Sequence, residues 1–418
     1  MVMKAGYKQT EVGVVPDDWD VETIGELCEY RNGVSLEAYF NHLDGFKVIS
    51  IGNYSPEGRF VETNTFIGKE YLNFIRKYIL GENELTMILN DKTSVGTIIG
   101  KVLLIDRSNA YVYNQRTMRL SPRAHADSAF LYHLINSDAN HARIVGLAKP
   151  GTQIYVNTND ILEFKLAIPK MREQIAIAAL LSDVDELIQS LEKLIAKKRL
   201  IKQGAMQELL TGKKRLSGCS GAWRKTALGN IGKFSKGRGI KKDEVSLEGL
   251  ACIRYGEIYT CFNSYVKNCR SFISQDIAMQ SLKIKKGDLL FAGSGETAEE
   301  IGKCVAFLGE YEAYAGGDII VFTPQAQDSM YLGYLMNHTS VTTQKAKMGQ
   351  GDAVVHISAR NLGQIEFWLP PIDEQQRIST TLFNMDAELA ALEAKLDKYR
   401  QIKKGMVQEL LTGRIRLV

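Results

Sequence analysis

Cysteine is scarce in this sequence, and long apolar segments are missing. Six of the 418 residues are cysteine, and no two of them form a C-x-x-C pair. This usage argues against zinc and indicates scattered reduced thiols, as in a cytoplasmic protein. The longest apolar run, residues 175–181, has seven residues, whereas a bilayer span needs about 20. The opening MVMKAGYKQTEVG has no apolar h-region, so we expect neither a secretory signal nor a membrane span.

A large excess of one charge is also missing. The sequence has 52 Lys and Arg against 48 Asp and Glu, for a net charge of +4, so its overall balance does not indicate nucleic acid. Apolar residues make up 45% and charged residues 24%, which is ordinary for a globular protein. Disorder, collagen and small disulfide scaffolds are excluded, and the length corresponds to roughly two to four domains.

An internal repeat organises the chain. Residues 169–216 and 370–417 align without a gap at an offset of 201, with 21 identities in 48 pairs. The segment QELLTG recurs unchanged at 207–212 and 408–413. The preceding stretches correspond more faintly, as where Trp19 aligns with Trp223, and their drifting offsets indicate loops of different length on one scaffold. We therefore predict four domains: 1–168, 169–216, 217–369 and 370–418.

The two strongly repeated segments are predicted to be long helices. Each begins after proline and ends at glycine, Gly212 or Gly413. Their apolar residues alternate in steps of three and four, as in a heptad seam. About 40 residues give a rod of roughly 60 Å. The seam consists of Leu181, Val184, Ile188, Leu191 and Ile195 in the first helix and of Leu382, Met385, Leu389, Leu392, Leu396 and Tyr399 in the second.

This seam has two interpretations. Each stripe packs on its own preceding domain, or the two helices pair as an antiparallel coiled coil with a pseudo-twofold axis. We favour the pairing, because two copies of one seam in one chain are natural partners. The helices are also basic, with local net charges of +7 over residues 193–215 and +5 over 395–416. Such a run is either a solvated face or a contact for phosphates or an acidic partner.

The two preceding domains are predicted to be mixed α/β units of the α+β class. Short β-like runs separated by Gly, Asn, Asp and Ser dominate them, and each has one amphipathic segment. Each unit then reaches a polar loop, 149–157 or 345–358, and a last strand. The predicted strands are 47–51, 85–89, 98–105, 251–254, 288–292, 304–308 and 319–322, and the predicted helices are 128–135 and 329–337.

Most candidate catalytic motifs in the sequence are incomplete. Residues 291–295 fit F-x-G-x-G, which cradles S-adenosylmethionine in methyltransferases, but the required [ND]-P-P-[FY] segment is missing and a tight turn is favoured. The segment GTIIGKV at 96–102 is one residue short of a P-loop and lacks its Ser or Thr. Glu163-Phe164-Lys165 is a bare E-x-K, and the histidines form no metal-binding pair, His356 included. We predict no catalytic residue, bound cofactor or metal in this chain.

What remains is recognition by loop side chains. Arg and Lys read guanine, Asn and Gln read adenine, and Glu accepts from cytosine. Gly33, Gly237 and Gly239 are expected to let the backbone approach a duplex. In the first half the predicted DNA-binding residues are Asn53, Tyr54, Lys92, Thr93, Ser94, Gln115, Arg116, Lys149, Thr152, Gln153 and Tyr155. In the second half they are Lys236, Arg238, Lys241, Tyr255, Glu257, Ser294, Glu296, Thr297, Lys345, Lys347 and Gln350.

The opening YKQTEVGVVPDDW, the P-x-x-x-EQ start of each helix and the repeated QELLTG resemble the specificity subunit of type I restriction-modification systems. The resemblance covers essentially the whole chain and weakens only at LSGCSGAW, residues 216–223. It implies two target-recognition domains, each reading one half of a split site in double-stranded DNA. It also implies two conserved helices that set the spacing and dock two adenine methyltransferase subunits, through which restriction subunits join.

The resemblance further implies that S-adenosylmethionine, Mg²⁺ and ATP are held by the partner subunits. Half-sites on one face of B-DNA lie about 34–36 Å apart, and divergent domains imply an asymmetric site. Because phosphate contacts dominate affinity, the modest net charge predicts weak binding by the isolated chain. Two alternatives stay open: a stand-alone DNA methyltransferase or nuclease, and a coiled-coil scaffold that does not read DNA.

Overall fold

The computed structural model describes residues 5–149, 153–351 and 354–417. The chain forms two compact units. Unit 1 contains the residues up to Glu192 together with those from Lys395 onward, and unit 2 contains Lys193–Ala394. This division falls inside the two helical repeats, whereas the sequence places boundaries at 168, 216 and 369, which stay predictions.

Unit 1 is built mainly from short antiparallel strands. Its strands, β1–β14, are Tyr7–Thr10, Gly13–Pro16, Asp20–Thr23, Cys28–Asn32, Phe40–Asn41, Phe46–Ile49, Phe66–Ile67, Leu85–Ile88, Asn90–Asp91, Val102–Leu104, Tyr111–Tyr113, Thr117–Pro122, Ile154–Tyr155 and Lys165–Ile168. Its helices, α1–α5, are Ile24–Leu27, Leu72–Ile75, Ser128–Asn136, Asp138–Val145 and Thr158–Leu162, and the long helix α6, Met171–Leu209, begins here.

Two four-stranded sheets form the body of unit 1. One has the order β10-β8-β12-β4 and is antiparallel throughout, and the other has the order β11-β6-β7-β5 with β6 and β11 parallel. The ribbons β1-β2, β3-β14 and β9-β13 complete it. The main core lies between the first sheet, α3 and the start of α6, where Trp19, Phe130 and Leu181 are fully buried.

Unit 2 repeats this plan. Its strands, β15–β27, are Arg224–Ala227, Gly232–Lys236, Leu250–Ile253, Tyr265–Val266, Ser271–Ile273, Leu282–Ile284, Leu289–Ala292, Ser294–Gly295, Cys304–Phe307, Ala313–Ala315, Ile319–Pro324, Val355–His356 and Glu366–Leu369. Its helices, α7–α11, are Tyr255–Thr260, Gln275–Gln280, Ser329–Leu335, Thr339–Met348 and Ala359–Gly363, and the long helix α12, Ile372–Leu410, begins here.

The sheets of unit 2 correspond to those of unit 1. The order β16-β25-β21-β23-β18 extends the first sheet by one parallel strand, and β19-β17-β24-β20 keeps one parallel pair, β17 with β24. The ribbons are β15-β27 and β22-β26. Mostly antiparallel sheets with separate helices confirm the α+β class. The repeated order confirms that both halves share one scaffold.

The predicted strands agree with the structure except at 98–105, where only Val102–Leu104 is strand. Gly96 and Gly100 have φ values of +75° and +72°, which turn the chain before the strand begins. Among the short helices only α3 and α9 were predicted, and the longest of those missed are α4 and α10. Both are short, and α4 has a largely polar sequence, DANHARIV, so its periodicity was too weak to detect.

The two long helices end as the sequence predicts. Both α6 and α12 have 39 residues. Gly212 and Gly413 follow their C-terminal ends with φ values of +69° and +68°. Glycine adopts this left-handed conformation without the steric cost of a Cβ atom, so it ends helices readily.

The helices pair antiparallel within each unit. In unit 1, Asp185 binds Lys403 at 2.7 Å and Glu192 binds Arg400 at 2.8 Å. The residue number of the acidic partner rises from 185 to 192, whereas that of its basic partner falls from 403 to 400. The two helices therefore run antiparallel. Every seam residue is buried or half-buried, including Ile188, Leu191 and Leu396. The alternative prediction was that the seam residues of each helix pack only on the preceding domain. This applies only at the start of the helix, where Leu181 lies in the domain core.

Unit 2 contains the equivalent ion pairs. Arg199 binds Glu393 at 2.6 Å and Lys202 binds Asp386, as their counterparts do in unit 1, and Lys198 binds Glu388 at 2.6 Å as an additional pair. Part of the basic run on the first helix is therefore neutralised by the second helix. Lys202 is largely covered in its pair, with a side-chain exposure of 17%, whereas Arg199 stays 63% exposed and fits the solvated-face interpretation as well.

A buried carboxylate fastens the end of one helix to the start of the other. In unit 1, Arg416 donates two hydrogen bonds to Glu173, at 2.7 and 2.8 Å, and the Trp19 indole donates a third at 3.2 Å. Arg416 also binds Asp18 at 2.8 Å. In unit 2, Glu374 accepts from Arg215 and Trp223 in the same way. We call each set a helix-end clamp.

Loss of the clamp arginine should destabilise unit 1. In Arg416→Gln, the fully buried Glu173 loses its charge partner, and we expect the free energy of unfolding to fall by about 2–4 kcal/mol. In the matched control Arg414→Gln, an exposed pair with Glu409 is lost, and the expected change is below about 1 kcal/mol. Urea unfolding of both variants measures this. Equal losses in the two variants would contradict the clamp.

The helix pair also contains a buried histidine in unit 1. The ring of His133 lies 3.9 Å from Asp185, and its other nitrogen is 3.1 Å from the Ser182 hydroxyl. Burial lowers the pKa of His133 to about 4, against the raising effect of Asp185. In unit 2 the equivalent residue is Tyr334, whose hydroxyl donates to Asp386 at 2.5 Å.

The free energy of unfolding should therefore decrease as the pH drops through the range in which His133 binds a proton. The folded state keeps this histidine neutral, whereas the unfolded state binds its proton near pH 6.5, so stability is full above pH 6.5 and falls as the pH drops toward 4, by about 3 kcal/mol. We expect His133→Tyr to flatten that fall and the exposed control His42→Tyr to leave it unchanged. Urea unfolding between pH 7 and 4.5 is the measurement, and an unchanged slope in His133→Tyr would refute this assignment.

Candidate nucleic-acid interface

In unit 1, several predicted residues meet at the ribbon formed by β9 and β13. Tyr155 lies opposite Asn90 in this ribbon. The Asp91 carboxylate accepts from the backbone N–H groups of Thr93 and Ile98, both at 2.8 Å. These bonds fold the following loop outward and leave the side chains of Lys92, Thr93 and Ser94 exposed.

Two further segments join this ribbon. The exposed guanidinium of Arg116 donates to the Gln153 side chain at 3.2 Å. Asn32, at the end of β4, exchanges hydrogen bonds with the Thr158 hydroxyl at 3.0 and 3.2 Å. Lys149 is exposed and lies 3.9 Å from Asp160. We call this surface the unit 1 edge: Asn32, Asn90, Lys92, Thr93, Ser94, Arg116, Lys149, Gln153, Tyr155 and Thr158.

Gln115 adjoins the unit 1 edge together with a carboxylate. Its amide donates to Glu37 at 2.7 Å, and Asn114 and Ser35 donate to the same carboxylate at 2.9 and 2.5 Å. Partial burial acts to raise the pKa of Glu37, but these hydrogen bonds outweigh it and lower the pKa to about 2. Glu37 is therefore an ionised acceptor at neutral pH.

In unit 2, the equivalent ribbon of β22 and β26 lines a cavity of about 470 Å³, together with Lys236 and Asp318. The Ser294 hydroxyl is 2.9 Å from His356 Nδ1. Gln350 pairs with His356 through the backbone at 2.8 and 2.9 Å. The structure thus brings together three predicted residues, Lys236, Ser294 and Gln350. We call the exposed residues Lys236, Asp318, Gln350 and His356 the unit 2 edge. Ser294 is only 4% exposed and supports His356 from below the surface.

Some predicted residues have structural roles in their loops. Asn53 is buried and hydrogen-bonds Val61 and Thr63 at 2.9 Å, and Tyr54 lies in a core cluster. Glu257 accepts from the Ser271 hydroxyl at 2.5 Å. Lys345 is 1% exposed and donates to the Gly302 carbonyl at 2.6 Å, and burial lowers its pKa to about 8. Because these side chains are buried, we leave them out of the interface proposed below.

The remaining predicted residues of unit 2 are exposed but do not line the cavity. Thr152, predicted in the first half, lies outside the described residues. The exposed set is Arg238, Lys241, Tyr255, Glu296, Thr297 and Lys347.

The expectation for Gly33 and Gly237 was wrong. A Cβ atom on Gly33 would overlap the Asn114 carbonyl oxygen, and one on Gly237 would overlap the carbonyl oxygen of Gly316. These glycines allow close contact between two segments of the protein's own backbone, not with a duplex. Gly239 differs, because its φ of +64° is a left-handed conformation.

Sequence reasoning missed Asn32, Asn90, Thr158, Glu37, Asp318 and His356 as interface residues. Asn32 precedes Gly33 as Lys236 precedes Gly237, so the repeat alignment contained a signal for that residue. Thr158 and Asp318 gave no such signal, because hydrogen bonds and a shared cavity bring them to the edges.

The incomplete catalytic motifs of the sequence have structural roles in the fold. The F-x-G-x-G segment spans the end of β21 and all of β22, so it is paired strand with one bend at Gly293 and not the tight turn we expected. Lys101, the lysine of the P-loop-like segment, is buried and donates to the Asn136 carbonyl at 3.1 Å. The described residues contain no helix able to cross a membrane and no cluster of three metal-binding side chains.

Comparisons with known proteins give a consistent result. Residues 16–198 and 221–403 match the family described as type I restriction modification DNA specificity domain. The putative type I restriction enzyme MjaX specificity subunit of Methanocaldococcus jannaschii is 23% identical over 434 residues, covering 98% of this chain and 97% of that protein. The MjaVIII specificity subunit of the same organism is 28% identical over 215 residues, covering 50% of this chain and 49% of that protein.

A solved structure supports the fold. The S subunit of a type I restriction-modification system from M. genitalium superposes with a TM-score of 0.63 at 18% identity, covering 94% of this chain and 96% of that one. The two family matches span most of the sequence, so the chain belongs to the family of type I restriction-modification DNA specificity domains, of which it carries two copies. DNA recognition is the function of that family.

The role assigned to Gly237 can be tested by stability. In Gly237→Ala the new methyl group meets a backbone carbonyl that cannot rotate away, and we expect a loss of about 1–3 kcal/mol. In the control Gly256→Ala no atom lies within 4 Å of the new Cβ. That change should be neutral or stabilise by up to about 1 kcal/mol, because alanine favours helix. Thermal unfolding compares them, and a stable Gly237→Ala would contradict the close-contact role.

Proposed function

We propose that this chain is the DNA-reading subunit of a type I restriction-modification complex, in which each unit reads one half of a split, asymmetric DNA site. One observation carries this proposal. The two units keep the same clamp residues, Trp, Glu and Arg, but differ at equivalent edge positions. Tyr155 opposite Asn90 in unit 1 corresponds to His356 opposite Ser294 in unit 2.

Different polar side chains on one backbone present different donors and acceptors to base edges. Asn32 and Asn90 supply amide groups in unit 1, and Lys236 and His356 supply cationic or imidazole donors in unit 2. The two half-sites should therefore have different sequences. We assign the spacing of the half-sites to the paired helices, because α6 and α12 each contribute residues to both units.

The repeated helices also support two copies of one partner. Ile201 and Ile402 occupy equivalent positions, 201 residues apart, and stay 47% and 40% exposed. A surface present twice in one chain suits two identical subunits, so we propose two methyltransferase subunits on the helices. Restriction subunits would join through them.

We place the chemistry on those partners. The backbone of the F-x-G-x-G segment is already committed, because Gly293 donates to the Asp318 carbonyl at 2.7 Å and accepts from Ile357 at 3.0 Å. This chain would then be non-catalytic, and S-adenosylmethionine, Mg²⁺ and ATP would bind the other subunits. With six free cysteines and DNA as its target, the complex fits a cytoplasmic location.

The isolated chain should bind its DNA weakly. Lys198, Arg199, Arg400 and Lys403 are paired with acidic residues on the opposite helix, so the basic charge of the helices is less available to phosphates than the sequence indicates. Methylome sequencing of a host carrying the chain and its methyltransferase defines the site, and fluorescence anisotropy compares the chain with the complex at physiological salt. We expect tight binding by the complex alone. Nanomolar binding by the isolated chain would contradict this explanation.

The same assay tests which surface meets DNA. Within the complex, Lys236→Ala should weaken binding and lower the slope against log salt by about one ion. Lys225→Ala, on the ribbon β15-β27 and paired with Glu366, is the matched control and should change nothing. A coiled-coil scaffold predicts no effect from either variant, and methyl transfer by the chain alone would instead indicate a stand-alone methyltransferase.

A further inference from the structure

We propose that one backbone position in each unit decides which base is read: Arg116 in unit 1 and Asp318 in unit 2. The inference rests on the proposed DNA-reading function and deepens it by naming a specificity residue in each half. Arg116 would bind guanine, and Asp318 would bind cytosine, in the major groove.

The two residues are equivalent in the fold. The Arg116 carbonyl accepts from the Leu89 N–H at 2.8 Å, and the Asp318 carbonyl accepts from the Gly293 N–H at 2.7 Å. The following residue in each unit, Thr117 or Ile319, accepts from Gly33 or Gly237 at 2.8 Å. Each residue therefore lies just before one strand of the first sheet of its unit, β12 or β25. Each also contacts the residue that follows a neighbouring strand, β8 or β21.

Both residues have a costly backbone conformation. The φ values are +68° for Arg116 and +59° for Asp318. Non-glycine residues in this region cost of order 1 kcal/mol or more, and such strain clusters at functional sites. Glycine would relieve it, yet each unit has an exposed charged side chain there. The charges are opposite, so no common structural role explains both.

The surroundings of each residue suit base contact. Arg116 touches Gln153 at 3.2 Å at the unit 1 edge, which orients the guanidinium without neutralising it. Asp318 shares its cavity with Lys236 and with the Ser294–His356 pair. Within residues 5–149, 153–351 and 354–417, no Lys, Arg or His nitrogen lies within 4.0 Å of the Asp318 carboxylate.

The chemistry of base edges then selects the partner. Guanine presents two acceptors, O6 and N7, which match the paired N–H groups of arginine. A carboxylate needs a donor and is repelled by acceptors. Guanine and thymine present only acceptors to polar groups in the major groove, and adenine places N7 beside its amino group. Cytosine offers its amino group with no acceptor on the same base edge, so it is the base that Asp318 prefers.

The experiment uses the full chain assembled with its methyltransferase subunits and a library of randomised DNA duplexes, from which bound molecules are sequenced. In Arg116→Gly we expect the preference for guanine at one position of one half-site to fall about tenfold or more. In Asp318→Gly we expect the same for cytosine at one position of the other half-site. All other positions should keep their preferences, and thermal stability should be unchanged or higher.

One further variant and two controls sharpen the result. Asp318→Asn tolerates the same backbone and adds a donor, so the preference should move from cytosine to adenine. Asn83→Gly and Ala326→Gly are matched controls, since both residues are exposed at φ values of +64° and +54°. Neither control should alter the selected sequence.

The outcomes distinguish a failure of this inference from a failure of the proposed DNA-reading function. If the unaltered complex selects no split sequence, the proposed function fails. If it selects one and the glycine variants select the same sequence, or lose preference at many positions together, only the inference is overturned.

Discussion

A carboxylate buried near the start of each long helix is the contact on which the structure depends. Glu173 and Glu374 are almost completely inaccessible to water, and an unpaired charge there would be strongly destabilising. Each is paired with an arginine from the end of the other repeat, Arg416 or Arg215. The chain therefore cannot bury either carboxylate without bringing the end of one helix to the start of the other, and antiparallel pairing follows.

This constraint separates what the two units share from what distinguishes them. The clamp and two of the interhelical ion pairs recur with the same residue types, because a change at either partner leaves a charge unmatched. The edges are under no such constraint. Asn32 and Lys236, or Arg116 and Asp318, occupy equivalent backbone positions with different chemistry. A conserved frame with variable edges suits a protein that must present two different recognition surfaces to one DNA duplex.

The basic charge on the helices illustrates how composition can mislead. Runs such as Lys197–Lys198–Arg199 resemble a phosphate-binding face when read along the chain. In the structure, Lys198 and Arg199 neutralise Glu388 and Glu393 of the opposing helix. The partner residues lie nearly 200 positions away in sequence, so no local pattern identifies them. We therefore propose that affinity for DNA comes from the edges and from partner subunits.

The sequence by itself determined the repeat, the two long helices, their seam and the α+β class, because heptad spacing, helix-ending glycines such as Gly212 and strand-length apolar runs are local signals. It also found Lys92, Arg116 and Lys236, which follow or end strands. Only the tertiary structure decided which polar residues form a surface. Lys345 and Asn53 looked suited to DNA but are buried, whereas Asp318 and Thr158 reach the edges through strand pairing and hydrogen bonds between distant segments. Burial and long-range proximity are properties of the folded chain, and a linear pattern of residue types does not contain them.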